Sequence, residues 1–429
     1  MSKWLFVIVT AIVLVSCNKD EDPVLTVETN DPPNILMIIA DDLGKDALNG
    51  FSEGSIKPNT PHIDAIRNDG LSFSNFWVNP TCTPTRASII TGKYGLRTDV
   101  KWASDELAQS EVTLQKYISQ ETSNTYATGL VGKWHLTGDD ANVNPESYGI
   151  DYYAGLLRGT VLDYFDWSLT EAGSTSQQTS YITEAFTDKS IEWVAEQTKP
   201  WFLWLAYNAP HTPFHAPPSN MHSQGNLPAY VSGTDANSHY MAAIEAMDFQ
   251  IGRLLDNIPT EQRDNTIIIF LGDNGTPIQV AQSPYSSRRS KGSIFQGGIN
   301  VPLFISGKGV SRLGIDENLI SGTDLFATIA EIAGAGITSI NDSKSFSALL
   351  TEASTIRSFQ YSEMDDGTDD LWAIRNDTYK LIVNANGEEA MYNLLDDPYE
   401  QSDLLTRTLT ASEANAKSAL EAELAAIRS

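Results

Sequence analysis

The sequence predicts an α/β fold, a large and mostly parallel sheet sandwiched by helices, with a small α+β subdomain at the C-terminus. Three observations carry this reading. Continuous apolar runs such as Asn34 to Ala40, Trp201 to Tyr207 and Thr266 to Leu271 recur along the chain, the pattern of strands buried on both faces of a parallel sheet. Helical patterns at 60–69, 84–91, 112–120, 181–197, 237–256 and 323–334 separate them and supply the layers that cover such a sheet. After about residue 345 the pattern changes: Leu371 to Arg375 and Tyr379 to Val383 flank an Asn376-Asp377 turn, as two antiparallel strands would.

The N-terminus reads differently. Lys3 and the apolar run Trp4 to Val15 form an export signal, too short for a membrane span of about 20 residues. The run ends in Leu14-Val15-Ser16-Cys17, which resembles a bacterial lipobox, with Cys17 lipidated after cleavage and the protein held to a membrane by that lipid anchor. An ordinary cleaved signal with a chance cysteine is the competing reading. The acidic stretch after Cys17 resembles the signal that sends lipoproteins to the cell surface. The expected organisation is a signal peptide at 1–17, a polar tether at 18–33, a main domain at 34–344 and a small subdomain at 345–429, closed by a helix at 411–427. The protein is expected to be exported, to the outer membrane or cell surface or else the periplasm.

With 28 Lys+Arg against 55 Asp+Glu, the formal net charge is −27. That excludes general nucleic-acid and anionic-membrane binders, which present a basic face. An anionic substrate must therefore meet a local basic pocket. Two cysteines among 429 residues make no disulfide framework.

The apolar runs end in residues capable of chemistry. Asn34 to Ala40 leads into Asp41-Asp42, Thr125 to Val131 into Lys133 and His135, Trp201 to Tyr207 into His211, and Thr266 to Leu271 into Asp273-Asn274. Val301 to Ser306 is a further candidate strand. In open α/β sheets ligands bind outside the carboxyl ends of the strands, so four runs point to one site. Asp41, Asp42, Asp273 and Asn274 offer hard oxygen ligands, a set that suits Ca²⁺ or Mg²⁺ better than Zn²⁺.

The segment CTPTRASIITG, residues 82–92, places Cys82 just before a helix in which Pro84 occupies the first turn. There the helix dipole and free N–H groups favour an anion, so the residues alone allow an activated thiolate, an anion site or a small buried cysteine.

Cys82-X-Pro84-X-Arg86 followed by Ala87-Ser88 and Thr91-Gly92 resembles the signature of the formylglycine-dependent sulfatases, whose fold is alkaline phosphatase-like. The blocks PNILMIIADDLG at the start, GKWHL at 132–136, NAPHTPFHAP at 208–217, GDNG at 272–275, KGSIFQGGINVP at 291–302, the TDLFATIAEIAG helix and the MYNLLDDPYEQSDL tail match as well. The likeness extends over residues 33–405.

It implies that a formylglycine-generating or maturase enzyme oxidises Cys82 to an aldehyde whose hydrate is the nucleophile. It also implies one Ca²⁺ held by Asp41, Asp42, Asp273, Asn274 and residue 82. Lys133 and Lys291 would contact the sulfate, with His211. Arg86 would hold the hydrated aldehyde and the ligands, His135 would take a proton from the hydrate, and His211 would protonate the leaving alcohol. The implied substrate is a sulfated polysaccharide or oligosaccharide. Trp102, Trp167, Arg288 and Arg289 are candidate sugar or sulfate contacts, His215 a candidate pocket residue, and His62, His222 and His239 surface or structural groups.

Three positions depart from the family; one is Thr85, where Ser is most usual, with the core of Cys82, Pro84 and Arg86 intact. Gln296 and Asn300 stand where the block usually carries Glu and Arg. Losing both charges together suggests a structural ion pair replaced by neutral groups, or an altered substrate contact. Two other functions stay open: a phosphodiesterase or phosphonate monoester hydrolase of the same superfamily, and an inactive surface protein that binds glycans.

Overall fold

The computed structural model describes residues 32–138, 143–286 and 288–429. The export signal, Cys17 and nearly all of the tether lie outside the described residues. Among those described, no helix is long and apolar enough to cross a membrane.

The main sheet has ten strands: Asn34–Ala40 (β1), Gly70–Trp77 (β2), Ala127–Lys133 (β3), Tyr152–Leu156 (β4), Trp167–Glu171 (β5), Ser174–Gln178 (β6), Trp201–Ala206 (β7), Thr266–Gly272 (β8), Leu303–Gly307 (β9) and Gly314–Ser321 (β10). Their order is β10-β2-β9-β8-β1-β7-β3-β4-β5-β6. The centre, β8-β1-β7-β3-β4, is parallel throughout. β9 runs antiparallel to both neighbours, and β5 and β6 form an antiparallel hairpin at one edge.

The unbroken apolarity of the central strands has the expected cause. Leu36, Ile38 and Ala40 of β1 belong to one core, whereas Ile35, Met37 and Ile39 belong to the other. The helices Pro61–Asn68, Ile182–Ala195 and Asn237–Asn257 cover the first core. The helices Cys82–Thr91, Leu114–Glu121 and Asp324–Ile332 cover the second.

A second, four-stranded antiparallel sheet runs Gln360–Asp365, Asp370–Arg375, Tyr379–Asn384 and Glu389–Asn393. The helix Ala411–Ile427 starts at a capping box between Thr410 and Glu413. It packs Leu420 and Leu424 on one face of this sheet. The other face lies on Trp77, Ile294 and Ile299. Gln360 and Ser362 tie it down further, donating to the carbonyls of Ile320 (2.6 Å) and Val78 (2.8 Å).

Register sets the site. Ala40 lies opposite Gly272, and Gly132 opposite Ala206. The residues that follow β1, β8, β3 and β7 therefore leave the sheet at one level.

Candidate active site

Asp41 and Asp42 follow β1, and Asp273 and Asn274 follow β8. The N–H of Asp42 donates to Asp273 Oδ1 (3.0 Å) and Asn274 Nδ2 to Asp42 Oδ1 (2.8 Å), locking the two strand ends together. Asp42 holds a left-handed φ of 67° and His135 one of 48°. Such backbone costs about 1–3 kcal/mol in a non-glycine residue and concentrates at functional sites. Tyr240 steadies Asp42 by donating to its carbonyl at 2.7 Å.

Cys82 is the first residue of the helix Cys82–Thr91 rather than the residue before it, with Thr81 as N-cap. One turn on, Arg86 is fully buried. Its Nε and Nη2 donate to Asp273 Oδ2 (3.1 and 2.7 Å) and its Nη1 to the Lys133 carbonyl (3.0 Å). Lys133 closes β3 with Nζ 2.6 Å from Asp41 Oδ2. The strand runs two residues past the expected end because Gly129 and Gly132 only dilute the apolar pattern. Lys291 reaches Asp42 Oδ2 at 2.6 Å. His211 Nε2 lies 3.6 Å from the same oxygen.

His135 Nδ1 sits 3.3 Å from Cys82 Sγ and 3.2 Å from Thr83 Oγ1. The Thr83 hydroxyl also reaches the Ala103 carbonyl at 2.9 Å. The His211 ring points its other nitrogen, Nδ1, at the Thr212 carbonyl (2.6 Å). A carbonyl only accepts, so Nδ1 carries a proton and Nε2 is the atom that exchanges one. Tyr164 Oη clamps this loop, 2.8 Å from the Asn208 carbonyl and 2.6 Å from that of His211.

The electrostatics are those of a cation site. Burial works against the charge on Asp41, but Lys133, His211 and Arg86 outweigh it and hold the carboxyl below the usual range. Asp42 behaves likewise, with His211 and Lys291 opposing burial. Asp273 goes the other way: burial and the Asp41 charge push it up despite Arg86. A third buried carboxylate that resists ionisation beside two others is what a divalent cation relieves.

The donor set fits such an ion. Asp41 Oδ1 and Asn274 Oδ1 are buried with no hydrogen-bond partner among the described residues. One atom each from Asp41, Cys82 and Asp273 lie within 4.8 Å of one another, as do one each from Asp41, Asp42 and His211.

Burial pushes the Cys82 thiol up, against the pull of Lys133, so the activated-thiolate reading loses its physical basis. Burial, helped by the Lys133 and Arg86 charges, holds His135 far below the usual histidine range. It is neutral, as a proton acceptor must be.

A model of the sulfatase family matches residues 33–335. The chain belongs to the sulfatase family. The Escherichia coli (strain K12) "Uncharacterized sulfatase YdeN" is 28% identical over 72% of this chain and 64% of that protein. Human N-acetylgalactosamine-6-sulfatase is 27% identical over 71% of this chain and 62% of that one. This sulfatase chain thus spans less than two thirds of the length of these curated relatives. Among solved structures, Ps i-CgsB in complex with k-i-k-neocarrahexaose is similar, with a TM-score of 0.75, 26% identity and coverage of 88% of this chain and 89% of that one. A protein solved with its substrate D-glucosamine-2-N,6-O-disulfate reaches 0.75 at 21% identity over 93% and 98%, a likeness of fold.

Within this chain the side chains expected to hold a metal or act in catalysis meet in one place. The other expectations divide. Trp102 stays close, its ring 3.8 Å from where a Cβ on Gly292, the neighbour of Lys291, would stand. Arg288 is exposed. Trp167 is no sugar contact: it is buried in the core and donates to the Ser180 carbonyl. Arg289 is a structural tie, donating to the carbonyls of Tyr399 and Glu400 and stacking on Phe295.

His215 stacks on Tyr164 and accepts from, or donates to, Tyr181; burial brings its pKa down to about 4. His239 meets the Pro228 carbonyl, and the His62 ring packs against Gly252. Gln296 and Asn300 share a backbone hydrogen bond, Asn300 N–H to the Gln296 carbonyl, but their side chains do not pair with each other. Gln296 accepts from Trp77 Nε1, while Asn300 accepts from Lys45 Nζ. Lys291 is in place regardless.

Proposed function

We propose that the protein is a sulfuric ester hydrolase acting on a sulfated glycan, with formylglycine made from Cys82 and one Ca²⁺ held by Asp41, Asp42, Asp273, Asn274 and residue 82. The observation that carries this is the position of Cys82: its sulfur lies at a helix N-terminus, within the oxygen cluster of Asp41 and Asp273 and 3.3 Å from His135.

A calcium ion held by these residues would supply positive charge favouring an anionic oxygen on residue 82 and a bound sulfate, and a hydrated formylglycine there would supply two hydroxyls, one to attack sulfur and one whose deprotonation would let sulfate leave.

Every other task falls to side chains in hand. His211 delivers the Nε2 proton to the alcohol oxygen as the S–O bond breaks. His135, neutral and beside residue 82, takes the proton of the second hydroxyl. Arg86 fixes Asp273 and, through the Lys133 carbonyl, the end of β3. Lys133 and Lys291 pair with Asp41 and Asp42, and a divalent ion on those oxygens would leave both ammonium groups available to a sulfate. Three carboxylates, Asp41, Asp42 and Asp273, stand against the three cations Arg86, Lys133 and Lys291.

A glycan substrate is supported by a relative named N-acetylgalactosamine-6-sulfatase and by a similar structure solved in complex with neocarrahexaose. Export and lipidation at Cys17 belong to the same proposal, placing the enzyme where polymers are met. The test is sulfate release from defined carrageenan and glycosaminoglycan oligosaccharides, alongside mass analysis of the peptide containing residue 82. No release from any of them, with residue 82 shown to be formylglycine, rejects the glycan assignment.

A further inference from the structure

Five lysine and arginine residues are buried as whole residues among those described, Lys45, Arg86, Lys133, Arg375 and Lys380, and the Arg357 side chain, paired with Asp324, is nearly so. Three of the five have carboxylate partners: Arg86 with Asp273, Lys133 with Asp41, and Lys380 with Glu400 at 2.6 Å. The other two do not. Lys45 Nζ donates to the Ser74 carbonyl (2.6 Å) and Asn300 Oδ1 (2.7 Å). Arg375 donates to Asn75 Oδ1 and to the carbonyls of Asn376 and Asp377. All of these partners are neutral oxygens, so neither cation hydrogen-bonds a carboxylate, and Glu53 for Lys45 and Asp377 and Glu400 for Arg375 oppose the cost of burial only from farther off.

The two cations line the same cavity, of about 860 Å³, and no residue of the active site lines it. Their anchors, Ser74 and Asn75, are successive residues of β2. The cavity lies between the β2–β10 edge of the main sheet and the antiparallel sheet, in the range that holds a ligand of one or two sugar rings. Lys45 uses two of its three N–H donors and Arg375 three of its five, so both keep donors free. Burial drags Lys45 down to about 7, the Arg375 charge adding to it, and Arg375 to about 10. An anion between them would reverse both. Phe51, with Lys45 Nζ 5.3 Å from its ring centroid, and Tyr399 supply apolar faces, and Asn318 an amide. Glu53, Glu317 and Asp377 also line the cavity and disfavour a densely charged chain.

We propose that this cavity is a second, non-catalytic binding site for a small anionic sugar, whose sulfate or carboxylate group sits between Lys45 and Arg375. Gln296 and Asn300, the two neutral departures from the family block, form part of its wall. The site stands independently of the formylglycine chemistry.

Selenate, as a heavy sulfate, tests it in crystals of the full chain. The expected result is an anomalous peak between Lys45 and Arg375 that disappears in Lys45→Met and in Arg375→Gln, while a peak beside Lys133 and Lys291 remains. In solution, glucuronate and galactose 6-sulfate distinguish the carboxylate from the sulfate source. Whichever binds should do so about tenfold to a hundredfold more weakly to either variant that folds. Selenate confined to the catalytic pocket overturns the proposal. So does a cavity peak that neither sugar displaces, which marks an adventitious ion only.

Discussion

Lys133→Ala separates what this side chain does for the fold from what it does for the reaction. Nζ lies 2.6 Å from Asp41 Oδ2, with both side chains inaccessible to solvent. Removing one member of such a pair leaves the other charge uncompensated, a loss of about 3–5 kcal/mol. For a protein of this size that corresponds to a fall of roughly 4–6 °C in Tm. Alanine keeps the backbone carbonyl that accepts from Arg86, so the loss isolates the ammonium group. It is also conditional. Calcium on Asp41 replaces the missing charge, so most of the deficit should vanish in millimolar Ca²⁺ while persisting in chelator. Sulfate release should not recover, remaining about 10²–10³-fold down for want of a cation on the transferring group. Thermal unfolding in EGTA and in Ca²⁺, paired with sulfate release in Ca²⁺, makes the comparison. A Tm deficit of equal size in both buffers, or near wild-type turnover, would refute the reasoning.

Three further outcomes are expected. A Cβ at Gly159 would stand 2.2 Å from the His135 ring. Gly159→Ala should therefore displace that base and lower kcat about 10²-fold, and an unchanged kcat removes His135 from the pathway. Asp248 caps the helix Pro61–Asn68, accepting from the N–H of His62 (3.0 Å) and Ile63 (2.7 Å), yet burial raises its pKa to about 7. The folded state then holds the proton more tightly than the unfolded one. Stability should decline as pH rises from about 4 to about 7, by up to about 4 kcal/mol, and Asp248→Asn should flatten that decline in urea titrations across pH. Cys17→Ala should move the protein from the membrane fraction to the soluble one without changing its specific activity, and wild-type protein without lipid mass contradicts the anchor.

The legible parts of the fold were those where one physical cause acts alone. β1, β7 and β8 are buried on both faces, so their apolarity is unbroken and their limits stand out. β2 was not recognised because Ser72 and Ser74 alternate with Leu71 and Phe73. It is a strand with one face on the core and the other on the cavity. β10 carries Asp316, Glu317 and Asn318 at a sheet edge, where side chains reach water and the pattern turns polar.

In the site, side chains whose chemistry is their role were readable: carboxylates at strand ends, Cys82 before Pro84, and the paired histidines. Thr83, Tyr164 and Tyr240 were not, because each acts through a backbone carbonyl or a histidine distant in sequence, and no spacing announces such contacts. Trp167 is the opposite case: named as a candidate sugar contact, it turns its ring to the core. Lys45 gave no signal either, since a lysine among aspartates reads as solvated surface until the fold buries it.

The central claim is that residue 82 works as formylglycine, and it rests on what a second hydroxyl makes possible. Cys82→Ser, nearly isosteric at a helix start, should fold and bind calcium. It keeps one attacking oxygen but, as long as the serine stays unmodified, has no route to an aldehyde. Multiple-turnover sulfate release from a sulfated oligosaccharide, with intact mass recorded on the same sample, is the direct measurement. The account predicts sustained sulfate release by converted wild-type enzyme and none from Cys82→Ser, in which at most one sulfuryl group per molecule is transferred and retained as a protein ester. A Cys82→Ser protein with unmodified serine that turns over at the wild-type rate would contradict it.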